Sequence, residues 1–335
     1  MDPLTQGVLG AVLPQATVAK KGTAAVAGLL GFLAGMSADL DVLIRSSSDP
    51  LLFLEYHRQF THSLIFIPVG GFLCALLLHQ LLGKRRQLAF RQTLIFCTLG
   101  YATHALLDAC TTYGTMLFWP FSDVRIAWNT ISIIDPLFTL PILVLIVLAG
   151  IKKRPGLARL ALLWGVAYMS LGLWQRNQAV DMGYEIARGR GHVPLRLEAK
   201  PSFANLLVWK IVYETRQRFY VDAVRVTLSP QVFPGDSVAK LQLARDFPWL
   251  DTHSQQARDI ERFRWFSNGY IALDPVHENR IIDIRYSMIP NELAPLWSIE
   301  LNPHAGPRAH VAYRTHRETE GDPGASLKAM VLGGG

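Results

Sequence analysis

Long uncharged apolar runs alternate with short basic clusters over the first half of the chain. Gly22–Ala38 carries no charge and continues through Leu40 into Val42-Leu43-Ile44. Ser63–Gly83 is apolar apart from His79 and Gln80, and Gln92–Leu107 is uncharged when His104 is neutral. Two further runs follow, Pro136–Ile151 and Leu160–Trp174. A bilayer crossing takes about 20 mostly apolar residues, roughly 17–25, so these are five expected spans. The last is short, but Trp164, Tyr168 and Trp174 suit an interfacial belt. Leu4–Ala19 is apolar, contains Gly7, Gly10 and Pro14, and at about 1.5 Å per residue is short for a crossing. It is expected as a short or re-entrant helix packed against the others.

From about Gln175 the period changes. Polar and apolar residues alternate in Lys210–Leu228, Phe263–Leu273, Arg280–Met288 and Leu296–Leu301, which predicts strands, whereas the polar stretch Leu250–Arg262 predicts a helix. Pro303 onward is rich in Gly, Pro and Ala and is expected to be loosely ordered. The fold class is therefore an α-helical membrane bundle, about five transmembrane helices plus a short N-terminal helix, over residues 1–175. A small extramembrane α+β domain (176–302) and a flexible tail (303–335) follow.

Composition agrees. Charged residues make up 18% of the chain and mean hydropathy is +0.21, whereas soluble domains carry about 25% charged residues. The net charge of +7 does not point to nucleic acid, because the bases punctuate apolar runs. Lys20-Lys21, Lys84-Arg85-Arg86 with Arg91, and Lys152-Lys153-Arg154 with Arg159 fall on one side by alternation, and the positive-inside rule makes that side cytoplasmic. Arg45–Thr61, Cys110–Asp135 and everything beyond Trp174 then face outward. Cys74, Cys97 and Cys110 lie in apolar surroundings without a CxxC and read as core residues. Met1-Asp2-Pro3-Leu4 lacks a basic n-region, so no cleaved signal peptide is expected.

Three polar clusters sit at span ends: Asp39-Leu40-Asp41, His57-Arg58-Gln59-Phe60-Thr61-His62-Ser63, and Thr103-His104 to Asp108 with Thr111-Thr112. The topology, derived from Lys and Arg alone, places all three at the outward face. Ionisable groups in a membrane are costly and usually functional, so their one-sidedness points to a shared site. His104 and Asp108, four apart on a helix, share a face. His57 and His62 flank a helix start. Asp39 and Asp41, two apart, would diverge on an ideal helix and converge only where it ends or unwinds. Neutral imidazole with carboxylate suits Zn²⁺ first, and a carboxylate-richer set suits Mn²⁺, Fe²⁺ or Mg²⁺. The candidate ligands are Asp39, Asp41, His57, His62, His104 and Asp108, enough for two metals or for one with supporting carboxylates and a general base. Arg58 pairs with Asp39 or Asp41, or holds an anionic substrate such as a phosphate. Thr61, Ser63, Thr111 and Thr112 read as caps and supporting donors.

Other polar residues are weaker candidates. His79 lies near the cytoplasmic end of its span and reads as structural, and Asp135-Pro136 reads as a helix start. Asp123, Arg125 and Asn129 read as solvated loop residues, and the histidines of the outer region lack ligand spacing. The chain has no Walker loop, GxSxG or HExxH.

In this order the clusters resemble the YdjM-like family of bacterial membrane-bound metal-dependent hydrolases. The matching pieces are Met1-Asp2-Pro3-Leu4-Thr5-Gln6-Gly7, Asp39-Leu40-Asp41, the string from His57 to Ser63, and Gly100 to Asp108 running on to Trp119-Pro120. They cover about the first half of the chain. Many members carry His where Gln6 stands, and Pro and His where Ala38 and Val42 flank the paired aspartates. The resemblance implies a bacterial inner-membrane protein with Asp39, Asp41, His57, His62, His104 and Asp108 at a metal site, and its family name implies hydrolysis without naming a substrate.

The leading expectation is a metal-dependent hydrolase at the outer face of the cytoplasmic membrane, with Asp39 or Asp41 as general base and Arg58 as anion clamp. Its location at lipid head-group level suggests membrane lipids as partners and a lipid-borne ester or phosphodiester as substrate. A metal-ion or proton transporter is the alternative, although such sites usually lie near the midplane, often in paired repeats. A structural membrane protein with a stabilising metal is the third class.

Overall fold

The computed structural model describes residues 1–316 and 322–333. Helix α1 (Pro3–Thr17) starts where the Asp2 carboxylate accepts from Thr5 N and Pro3 occupies the first turn, where a missing N–H costs nothing. Helix α2 (Ala24–Met36) tightens into a 3₁₀ turn over Ser37–Leu43. A short α3 (Leu52–Tyr56) precedes α4 (Ile67–Leu78), whose last turn relaxes into a π-helical turn at His79–Gly83. Then come α5 (Phe90–Cys110), α6 (Pro136–Ile151) and α7 (Pro155–Gly189).

Among the described residues, four stretches are long and apolar enough to cross a membrane: Ala24–Leu43, Leu64–Arg86, Phe90–Cys110 and Pro155–Gly189. The expected fifth crossing, α6, has 16 residues. At about 1.5 Å per residue it reaches roughly 24 Å, short of a ~30 Å hydrocarbon core. The expectation of five is thus replaced by about four candidate spans. The expected short Leu160–Trp174 run is the middle of a 35-residue helix, and the chain divides after Leu173, within continuous α7.

The chain divides into two units. The first comprises Met1–Leu43, Tyr56–Leu173 and Phe203–Asn205. Within it α1, α2 and α5 meet backbone to backbone: a Cβ on Gly10 or Gly100 would collide with the carbonyl oxygen of Gly31, so only glycine admits that approach. Ala27, Leu30, Ala34, Ala75, Leu78, Phe96 and Cys97 fill the adjoining core between α2, α4 and α5. His79 is structural as expected, its Nδ1 lying 3.0 Å from Thr93 Oγ1. Asp135 caps α6, accepting from Phe138 N at 3.2 Å and from the Tyr168 hydroxyl at 2.9 Å.

The second unit comprises Ile44–Glu55, Trp174–Ser202 and the chain from Leu206 onward. Its first sheet has β1 (Arg196–Pro201), β2 (Val208–Glu214), β3 (Arg218–Arg225) and β4 (Gln231–Phe233) in that order, with β5 (Ser237–Ala239) also on β3, all antiparallel. After α8 (Leu243–Asp246) and α9 (Gln255–Phe266), β6 (Ile271–Leu273), β7 (Arg280–Asp283), β8 (Trp297–Glu300) and β9 (Ala312–Thr315) form an antiparallel meander. Helix α10 (Pro323–Leu332) closes the described chain.

Three expectations change here. Phe263–Leu273 is not one strand: Phe263 sits on α9 and points into the core, and only Ile271–Leu273 pairs. The tail is partly built in, since β9 extends the second sheet and Met330 of α10 packs with Val208, Ala223 and Phe233. Residues 317–321 and 334–335 of that expected tail lie outside the described residues. Ile44–Glu55, most of it within the loop expected over Arg45–Thr61, belongs to the second unit: Leu51 and Leu54 are buried among Phe247, Ile260, Phe263 and Ile281. Arg262 holds the same segment through Asp49 at 2.8 Å and Glu55 at 2.5 Å.

Candidate metal centre

The 3₁₀ turn at Ser37–Leu43 solves the problem posed by two aspartates two residues apart. With the α-helix ended, Asp39 and Asp41 reach different sides of one imidazole. Asp39 Oδ1 lies 3.4 Å from His62 Nε2 and 3.3 Å from His104 Nε2. Asp108, one turn after His104 on α5, places Oδ2 3.2 Å from His62 Nε2 and 3.7 Å from His104 Nε2. The two imidazole Nε2 atoms face each other at 2.9 Å. Asp39, His62, His104 and Asp108 each contribute one such atom, and all lie within 4.8 Å of one another.

Four donors about 2.0–2.1 Å from one cation would be separated by roughly 3.3–3.4 Å on a tetrahedron. The five separations above scatter around that value. Asp108 Oδ2 is buried and accepts no hydrogen bond, although Arg58 Nε is 3.1 Å away in an ion-pair contact. The carboxylates of Asp39, Asp41 and Asp108 face two cationic groups, the Arg58 guanidinium and the Met1 nitrogen, so carboxylates outnumber cations and the cluster attracts a further cation. On donor type, spacing and charge, the residues fit a metal.

The surrounding bonds fix both imidazoles. His104 Nδ1 donates to Gly35 O at 2.5 Å, which leaves Nε2 as the unprotonated nitrogen turned toward the cluster. His62 Nδ1 lies 2.9 Å from the Thr61 hydroxyl and 3.2 Å from Asp41 Oδ2. Asp41 is heavily engaged. Its Oδ1 meets His57 Nδ1 at 2.7 Å, and its Oδ2 accepts from Arg58 N at 3.0 Å and from the Thr61 hydroxyl at 2.7 Å. Asp41 therefore orients ligands more readily than it serves as one. His57 stands outside the four-donor cluster, in a second set with Asp39 and Asp41.

Arg58 departs from expectation. Its side chain pairs with Asp108, not with Asp39 or Asp41, and is almost wholly buried. Its φ of 64° is left-handed, costly for a residue with a Cβ. That conformation lets its amide bind Asp41 while its guanidinium reaches Asp108 and Thr111, joining two parts of the site through one residue. Gln6 was not a candidate, yet its amide donates to Asp108 Oδ1 at 2.9 Å, and the Met1 nitrogen lies 2.5 Å from the same oxygen. Only its place in the opening motif hinted at this. The Gly35 carbonyl and the Tyr101 hydroxyl, which donates to Thr61 O at 2.7 Å, carried no signal in the sequence. Asp123 remains exposed, whereas Asn129 is buried and Arg125 donates to Gly114 O at 3.1 Å.

A helical bundle with about four candidate spans, a cluster of Asp and His able to bind a metal, and a sheet-containing C-terminal domain define a polytopic membrane protein. The chain belongs to the YdjM inner membrane protein family, whose model matches residues 1–179. It is similar to the inner membrane protein YbcI of Escherichia coli (strain K12), with 35% identity over 111 residues. That similarity covers 31% of this chain and 60% of the relative. No solved structure matches the chain.

Proposed function

We propose that the protein is a metal-dependent hydrolase acting at the outer face of the cytoplasmic membrane on a lipid-borne ester or phosphodiester. The observation that carries this is the four-donor cluster in which the far nitrogen of each histidine is already engaged, leaving both Nε2 atoms for a cation. Asp39, His62, His104 and Asp108 would hold the ion, with Zn²⁺ the best match to the donors. A divalent metal there supplies Lewis acidity toward a carbonyl or phosphoryl oxygen and makes water more acidic.

The protein's own groups divide the remaining work. Asp39 is the partly exposed carboxylate of the cluster, its side chain 22% accessible, and is the group best placed to exchange a proton with an incoming reactant. His57, similarly accessible and held by Asp41, offers its other nitrogen at the same rim. Arg58, buried on Asp108, holds a ligand in place more readily than it clamps substrate. In this reading α6 crosses a locally thinned bilayer despite its length, which puts the second unit outside the cytoplasm.

Purified full-length protein should hold near-stoichiometric metal and cleave some member of a panel of lipid esters and phosphodiesters, with Asp39→Asn and His104→Ala abolishing both. Metal-free protein, or turnover unchanged in both variants, would sink the reading. A stabilising metal is the second reading, favoured because four protein donors form a closed set of the structural kind. It predicts that chelation lowers the unfolding midpoint while no substrate is ever turned over.

A further inference from the structure

We infer that the loop between Thr115 and Ile126 is an interfacial anchor whose tip lies in the head-group boundary of the bilayer beside the outer end of the Leu64–Arg86 span. This goes beyond the metal reading and stands without it.

The loop has a buried base and an apolar, exposed tip. Thr115 and Ile126 close the base by exchanging two backbone bonds of 3.0 and 2.9 Å. Met116 N donates to Arg58 O at 3.0 Å, and Leu64 N donates to Leu117 O at 2.9 Å. Leu117 is buried with Ala105 and Ala109 of α5. The base is therefore fixed at the first residue of a membrane span, next to the metal-site loop. Beyond it Phe118, Phe121 and Val124 project outward, Phe121 with 83% of its surface accessible.

A loop built only for water has no reason to expose three large apolar side chains within seven residues. Two observations identify the occupant as lipid. The first is continuity. Trp119 packs toward Phe60 with ring centroids 6.1 Å apart, and Phe60 packs on Phe66 at 5.4 Å. Phe66 leads into α4, whose Val69, Phe72, Leu73, Leu76 and Leu77 are exposed along a candidate span. The tip thus extends the lipid-facing side of that helix into an aromatic belt.

The second is the tip's partial backbone satisfaction, which lowers the cost of moving a non-helical segment out of bulk water. Trp119 N bonds Met116 O, and Phe121 N and Ser122 N both bond Phe118 O. Val124 N bonds the Ser122 hydroxyl, and Pro120 has no N–H to satisfy. These four donors are not stranded as the tip enters the head-group region, which still hydrates the remaining amides. Asp123, exposed at the tip, limits the depth to the head-group region.

The test is tryptophan depth in nanodiscs of phosphatidylethanolamine and phosphatidylglycerol. Phe121→Trp and Val124→Trp are compared with wild type, and Val276→Trp, an equally open site in the second unit, serves as control. The emission added by each loop tryptophan should be blue-shifted and mostly lost when the lipids carry bromine near the head-group end of the chain. The Val276→Trp increment should be insensitive to bromine and quenched by aqueous acrylamide. If both loop increments instead respond to acrylamide and ignore brominated lipid, the anchor is overturned.

Discussion

Two regions of this protein bury carboxylates completely, and they treat them differently. In the second unit Asp283 is matched within the fold: its Oδ1 accepts from Arg285 N and Nε, and its Oδ2 from Arg285 Nη2 at 2.6 Å and Trp297 Nε1 at 3.1 Å. Asp259 is similar, with Gln255 and Arg262 on one oxygen and His310 and Val311 N on the other. In the bundle Asp108 is equally inaccessible; its Oδ1 meets Gln6 and the Met1 nitrogen, but its Oδ2, in ion-pair contact with Arg58 Nε at 3.1 Å, accepts no hydrogen bond and also faces two imidazole nitrogens. A buried charge is tolerated when its lone pairs are matched, and an oxygen left open among other donors is what a cation site needs. The contrast separates carboxylates that hold the fold from one kept for a ligand.

The sharpest way to break that contrast is to neutralise one member of each kind. Asp283→Asn strips Arg285 of its partner inside the second unit and should cost about 3–5 kcal/mol of that unit's stability, with metal content unchanged. Asp39→Asn leaves no arginine unpaired, so the metal-free protein should unfold as wild type does. Its metal affinity should fall by more than the about 10–100-fold expected for an orienting residue. Thermal unfolding paired with metal titration reads both. If Asp39→Asn destabilises the metal-free protein as Asp283→Asn does, the two kinds of carboxylate are one kind.

Next in size is Leu51. It is fully buried in the core of the second unit although it lies between Asp41 and His57 in sequence. Leu51→Ala should cost about 2–5 kcal/mol, read as lost hydrogen-exchange protection in α9 and β7. Unchanged protection there would mean that the segment is not part of that core. Smaller again is Asp41→Asn, which removes the orienting acceptor of His57 and His62 and should weaken metal binding about 10–100-fold without abolishing it. Complete loss would make Asp41 a ligand in its own right.

How much of this was legible in the sequence follows from what each feature depends on. The helices were visible because apolar length is a local property, and the convergence of Asp39, His62, His104 and Asp108 followed from basic residues that set which ends face which way. Span number failed at α6, which ends after 16 residues, whereas α7 is a candidate span as expected but runs on as a polar helix to Gly189, because the apolar pattern does not report where a helix stops. Arg58 was read as a partner of Asp39 or Asp41 or as an anion clamp, whereas its guanidinium meets Asp108, fifty residues away on another helix, a contact that nearness in sequence does not report. The Gly35 carbonyl is a backbone group and has no signature. Leu51-Leu52-Phe53-Leu54 did carry one, an apolar run in a loop between two spans. β9 was hidden in a Gly- and Pro-rich context that outweighed four residues of strand.

The last effect, small per unit of pH, concerns a buried amine that the second unit keeps without a bonded carboxylate. Lys210 on β2 donates to Ser287 Oγ at 2.7 Å and to Glu292 O at 2.8 Å, both neutral acceptors. Burial disfavours the ammonium, the Asp283 and Glu292 carboxylates only partly offset this, and Lys200 adds to it, so the amine is brought down to about 7. Its ordinary value is 10.5, so between about 7 and 10.5 the unfolded chain binds the proton that the folded chain has released. Stability must therefore rise with pH across that window, by at most about 1.4 kcal/mol per unit. Lys210→Met should remove this slope between pH 7 and about 9 while leaving the sheet intact, because a methionine fills the same channel without a charge to desolvate. The measurement is the unfolding free energy of the second unit against pH in wild type and variant. A wild-type curve that is flat or falls through that window would show that Lys210 stays protonated in the fold, and its two neutral acceptors would then be holding an ammonium after all.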